Sequence, residues 1–183
     1  LWLSSLSAGG AAWALIVARA WLVYDLSDSS LWVGATTFAA MAPLALVPPV
    51  AGYLADKLDR KKILAWAFAL QFLHNLILAI LAISGSIEVW HIIALSFFNG
   101  TIRATQLPAM QALLPNLIPE KDLMNGIALN QATFHVARLV GPALIAPLLL
   151  APGSGTGAAF LLCTALYAVS FLIIIRIQTT SKG

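Results

Sequence analysis

Charge is scarce in this chain. Only 9% of its 183 residues are charged while 61% are hydrophobic, against roughly 25% charged in soluble domains. With a mean hydropathy of +0.92, a water-soluble globule is excluded. Cysteine is nearly absent. The single Cys163 leaves no intrachain disulfide and no cysteine-based metal motif. There is no zinc-ligand spacing, no phosphate-cradling loop and no nucleophile–base pair. No enzyme, cofactor or metal site is therefore expected. The first apolar run is no secretory signal, because Arg19 lies inside it and the following DLSDSS lacks an A-x-A cleavage pattern. An initiator Met is also missing, and the chain opens on Leu1-Trp2 at the start of a helix, so residues before Leu1 are expected.

What the chain has is apolar length. Six runs of about 20 residues or more, enough for a ~30 Å hydrocarbon core, fall near 1–25, 31–55, 62–84, 88–108, 123–151 and 157–177. Barrel strands would be about 10 residues long with alternating polarity. The expected fold is an all-α membrane protein with six transmembrane helices. Residues 1–178 would form the bundle and 179–183 the start of a cytoplasmic linker. Trp2, Trp32 and Trp90 stand at run boundaries, where aromatic belts belong.

The cations set the orientation. With six spans, one side receives both chain ends and the 56–61 and 109–122 connections. Lys57, Arg60, Lys61, Lys62, Lys121, Arg176 and Lys182 all fall there. The other side receives 26–30, 85–87 and 152–156, which contain neither Lys nor Arg. The positive-inside rule then makes both termini cytoplasmic. The pI near 9.3 thus reflects topology rather than a basic face, and no nucleic-acid partner is expected.

Four of the ten cations crowd into GYLADKLDRKKIL, Gly52 to Leu64. The stretch reads Gly-x-x-x-Asp-Lys-x-x-Arg-Lys-Lys. It resembles the cytoplasmic signature of the major facilitator superfamily, Gly-x-x-x-Asp-Arg/Lys-x-Gly-Arg-Arg/Lys. Gly52, Asp56, Lys57, Arg60 and Lys61 match, and Asp59 stands where the second Gly is usual. The resemblance implies a conformational latch formed by these five residues. Gly52 would admit a close helix neighbour, and Asp56 would face backbone N–H groups or a helix N-terminus. WLVYDLSDS, ALLPNLIPEKDLMNGIALNQ and ARLVGPALIAP extend the likeness to the drug- and siderophore-exporting branch, which includes the enterobactin exporter and the macrolide-efflux proteins. It covers nearly all of the chain, but only the first six of the usual twelve helices.

Three arginines lie away from the span ends. At 1.5 Å per residue, Arg19 is roughly 9 Å inside its boundary, Arg103 about 20 Å and Arg138 about 22 Å. A central arginine costs on the order of 3 kcal/mol even on a lenient scale, so these should face a wet cavity or a fixed partner. No acid lies comparably deep. Asn99, Arg103 and Gln106 share one face at i, i+4 and i+7, and Gln131, His135 and Arg138 repeat that spacing. The two stripes read as opposite walls of one aqueous cavity. Arg103 and Gln106 also fit part of the superfamily's fourth-helix pattern Arg-x-x-Gln-Gly, with Leu107 in place of its Gly.

Plainer roles compete. Arg103 could bond helix carbonyls or Asp56, and His135 could be an interhelical partner rather than a proton carrier. His74 and His91, in apolar and interfacial settings, suit packing. Pro43, Pro48, Pro49, Pro142 and Pro147 interrupt backbone bonding, which is tolerated where neighbours or water replace the lost bonds. Gly141 and Pro142 match the core of the superfamily's fifth-helix exporter pattern and would bend that helix. Ala137 and Ile145-Ala146 replace its other glycines.

The resemblance implies half of a major facilitator fold: two inverted three-helix repeats, here 1–84 and 88–177. Alternating access then requires a second six-helix bundle, from a C-terminal half or a second copy. The expected function is a proton-driven exporter of a siderophore or drug in a bacterial inner membrane, with the lipid bilayer and a small-molecule substrate as further partners. The alternative is a transporter-derived membrane scaffold or accessory subunit without transport activity.

Overall fold

The computed structural model describes residues 2–57, 59–117, 119–151 and 155–176, with side chains at all of these except 50, 54–57, 114–117 and 120. These residues are helical almost throughout. The helices are α1 (Trp2–Ser27), α2 (Ser30–Leu46), α3 (Pro48–Lys57), α4 (Arg60–Ile83), α5 (Val89–Leu117), α6 (Leu123–Leu149) and α7 (Gly155–Arg176). One 3₁₀ turn, Glu120–Asp122, precedes α6. By length and composition, α1, α4, α6 and α7 can cross a membrane, while α2 is a shorter apolar helix. In α5, Asn99, Arg103 and Gln106 dilute an otherwise apolar sequence.

Two boundaries differ from the sequence reading. The second run divides into α2 and α3 at Val47. Pro48 and Pro49 supply no N–H, and a residue before proline is pushed away from helical geometry. Val47 itself stays near helical, donating to the Pro43 carbonyl at 2.8 Å and accepting from the Ala51 N–H at 2.9 Å. The chain therefore bends there without losing its path. The other difference is α5, which continues through Pro108 to Leu117 where a connection was expected from 109. Ala109 and Leu113, one turn apart, are fully buried, and α5 packs against α3 as well as α2 and α4. Arg60 Nη1 at the start of α4 also donates to the Ala112 carbonyl at 3.1 Å. Tertiary burial thus extends the helix beyond what its local sequence announces. By contrast, Pro142 and Pro147 sit inside an undivided α6.

Helix α1 packs against α6 and α7, α4 against α7 and α5, and α2 against α5. Phe68 (α4), Ile92 (α5), Phe160 and Tyr167 (α7) and Leu15 (α1) form the buried centre. Water adds little drive between helices in lipid, so close packing of small residues matters most. At α1–α6 a side chain at Gly141 would lie 2.3 Å from the Gly10 carbonyl oxygen, and one at Gly9 would lie 2.9 Å from Ala137 Cβ. At α2–α5 a side chain at Gly100 would meet the Ala40 carbonyl oxygen at 2.2 Å. A reciprocal clasp joins α1 to α7: Ser4 Oγ donates to the Ser170 carbonyl, and Ser170 Oγ lies 3.1 Å from the Ser4 carbonyl.

Asp59 caps α4, its carboxylate accepting from the Lys61 N–H at 2.9 Å. This gives the departure from the signature a local reason. An N-cap Asp to Ala change costs about 0.5–2 kcal/mol, whereas Gly in its place costs only a few tenths. Asp59→Ala should therefore lower the apparent Tm by a few degrees, and Asp59→Gly, which restores the usual signature residue, should leave it nearly unchanged. Thermal unfolding in detergent measures both, and equal losses would refute the capping role.

Candidate functional site

Two cavities flank the middle of α1. The larger, about 310 Å³, opens between α1, α5 and α6, with Tyr167 of α7 at its wall. Its polar lining includes Arg103, Gln106 and Gln111 from α5 and Asn130 and Gln131 from α6, with Trp13 of α1 and Phe134 of α6 among its aromatic walls. The second, about 280 Å³, lies between α1, α2 and α5 and is lined by Arg19, Arg103, Thr36 and Thr37 among apolar side chains. Trp13 and Arg103 line both. No acidic side chain lines either cavity among the described residues.

The two anticipated polar stripes do not behave as units. Arg103 and Gln106 do face Gln131 across the larger cavity. Asn99, expected beside them, is buried and donates to Gln71 Oε1 of α4 at 2.6 Å. It lines neither cavity, since its amide is engaged by the neighbouring helix α4. His135 is exposed on α6, with its ring edge-on to Phe134 at 5.8 Å, and is absent from both linings. Arg138 lies over the Trp13 ring, 4.8 Å from its centroid, a cation–π contact worth about 0.5–2 kcal/mol. Phe134 meets the same indole edge-on at 5.9 Å. Trp13 thus ties α6 to α1 at the wall that the two cavities share.

Arg19 is only 4% exposed and donates from Nη1 to Ser96 Oγ of α5 at 2.9 Å. On α4, Gln71 and Asn75, which the sequence reading passed over, are buried together with His74, which it assigned to packing. Asn75 Nδ2 donates to the Gln71 carbonyl at 2.8 Å. The i, i+3, i+4 spacing of three polar residues in an apolar run was the available signal. Trp13 had none, since its partners belong to a helix more than a hundred residues away.

The latch residues are only partly visible. Gly52, Arg60 and Lys61 are described, whereas the side chains of Asp56 and Lys57 lie outside the described residues. At Gly52 a side chain would meet nothing within 4 Å, so no described helix of this chain packs closely on it. Arg60 bridges α4 to α5 through the Ala112 carbonyl.

The sequence profile of the transmembrane secretion effector family matches residues 1–182. The chain belongs to that family. It is a member of the major facilitator superfamily, and its relatives are transporters of that type. It is 27% identical over 125 residues to the staphyloferrin A transporter of Staphylococcus aureus, an alignment covering 68% of this chain and 32% of the relative. It is 31% identical over 104 residues to macrolide efflux protein A of Enterococcus faecalis, covering 57% and 32%. Against macrolide efflux protein A of Streptococcus pyogenes, identity is 27% over 122 residues, covering 67% and 30%. The matched region thus spans about a third of these relatives' length.

Proposed function

We propose that this chain is one six-helix half of a proton-driven exporter for a small organic molecule, working by alternating access with a second bundle. The observation that carries this reading is the cavity between α1, α5 and α6, where Arg103 and Gln106 face Gln131 beside Trp13 and Phe134. A few polar groups set among apolar and aromatic walls form a small-molecule site. The packing pattern supports an inverted repeat with α2 and α3 counted as one span. In such a repeat, the pairing of the first and fifth spans (α1–α6) corresponds to that of the fourth and second (α5–α2), and both are close contacts. The cation distribution supports cytoplasmic termini in a bacterial inner membrane. The relatives' names support a siderophore or a macrolide as cargo.

The test uses the native protein at its full length, reconstituted in proteoliposomes and offered a radiolabelled siderophore or macrolide under an imposed pH gradient. One of these is expected to accumulate against its gradient and to be released by a protonophore. Failure with both classes under either gradient polarity would overturn the exporter reading. Recovery of the protein in a fixed ratio with other membrane chains would then support the scaffold.

A further inference from the structure

We propose that the α1–α2–α5 cavity is an anion subsite, in which a carboxylate or phosphate-type group of the transported molecule docks between Arg19 and Arg103. This rests on the exporter reading and narrows its cargo to organic anions. Arg19 is buried on α1, and one of its donors is engaged by Ser96. A guanidinium has five donors in a planar fork. A buried charge is tolerated when it is paired and hydrogen-bonded. Among the described residues no carboxylate lines the cavity, and the second charged group facing it, Arg103, has the same sign. Two cations on one enclosed space repel, and an anion between them turns that repulsion into two attractions.

The hydroxyls at the wall are already committed. Thr36 and Thr37 donate to the Trp32 and Val33 carbonyls of their own helix, each at 2.9 Å. The free donors facing the cavity are therefore those of the arginines, and arginine forks recognise carboxylate and phosphate in a bidentate manner. Arg103 and Trp13 belong to both cavities. A single ligand can then seat its acidic head beside Arg19 and its body against Trp13 and Phe134.

The experiment compares phthalate with the uncharged phthalamide, at constant ionic strength, on the full-length protein in detergent. Binding is read as a saturable rise in Tm and a change in tryptophan fluorescence. Phthalate should bind and phthalamide should not. Arg19→Gln and Arg103→Gln should each weaken phthalate by at least tenfold, while Lys121→Gln, an exposed cation in neither cavity lining, leaves it within about twofold. Arg19→Lys, which keeps the charge but not the fork, provides a folded comparison and should weaken binding less than Arg19→Gln. The inference is overturned by the absence of phthalate binding to the parent protein, by equal binding of phthalamide, or by unchanged binding in Arg19→Gln. Export of the siderophore or macrolide by the same protein reconstituted in proteoliposomes separates the two readings: export without phthalate binding removes the anion subsite and leaves the exporter standing.

Discussion

Replacing Gly141 by Val should strongly destabilise the bundle, while Gly10→Ala, on the facing helix, should be harmless. A side chain at Gly141 would meet the Gly10 carbonyl oxygen at 2.3 Å and the Ala14 nitrogen at 3.1 Å. Both are backbone atoms, so relief requires α1 and α6 to separate. Overpacking typically costs about 1–3 kcal/mol. Separation would also weaken the Gly9–Ala137 contact and the Trp13–Arg138 stack, so a total near the top of that range, about 3 kcal/mol, is expected. At about 2–4 °C per kcal/mol, the apparent Tm should fall by about 10 °C. Alanine is a less decisive probe at this position, because its better helix propensity returns roughly 0.5–1 kcal/mol. A side chain at Gly10 meets nothing within 4 Å, so Gly10→Ala gains that propensity without the clash. Equal melting temperatures for Gly141→Val and Gly10→Ala would show that α1 and α6 do not pack through Gly141.

Arg103→Ala should abolish export while leaving a folded protein. Arg103 lines both cavities, so its loss removes a donor wherever the cargo sits. A hydrogen bond to a charged group is worth about 1.5–3 kcal/mol, or about 10- to 150-fold in transport at 1.4 kcal/mol per decade. The stability effect points the other way, since removing a deep arginine relieves about 3 kcal/mol of membrane insertion cost. The two readouts therefore separate: transport falls and the monodisperse gel-filtration peak stays. Retention of more than half of parental transport would exclude Arg103 from the cargo path. Arg138→Ala is the milder neighbour, because Arg138 stacks on Trp13 rather than lining a cavity.

The helices were legible because a bilayer demands length, and length survives in the sequence as uninterrupted apolar runs. Their ends were less so. The last turns of α5 are held by Ala109, Leu113 and the bond from Arg60, contacts between segments far apart in the chain. Insertion cost singled out three arginines; Arg19 and Arg103 line cavities, whereas Arg138 stacks on Trp13. Helical spacing then overreached. It placed Asn99 with Arg103 correctly on one helix, but its 2.6 Å bond to Gln71 shows that it faces a different neighbour. Rotation of a helix about its axis is set by partners, and partners are not written in the spacing. For the same reason Gly52 matched a motif yet has no close neighbour among the described residues.

The contacts that close the bundle join its earliest and latest helices, and this sets a timetable for biosynthesis. Ser4 and Ser170 stand 166 positions apart, and Arg19 waits 77 positions for Ser96. At about 5–20 residues per second, α1 exists for roughly 8–33 s before its partner serine on α7 is made. Within that interval its buried cation waits for Ser96 on α5 and its small-residue face for Ala137 and Gly141 on α6. The contacts of the first helix can therefore close only in the order in which α5, α6 and α7 are made, the serine clasp to α7 last.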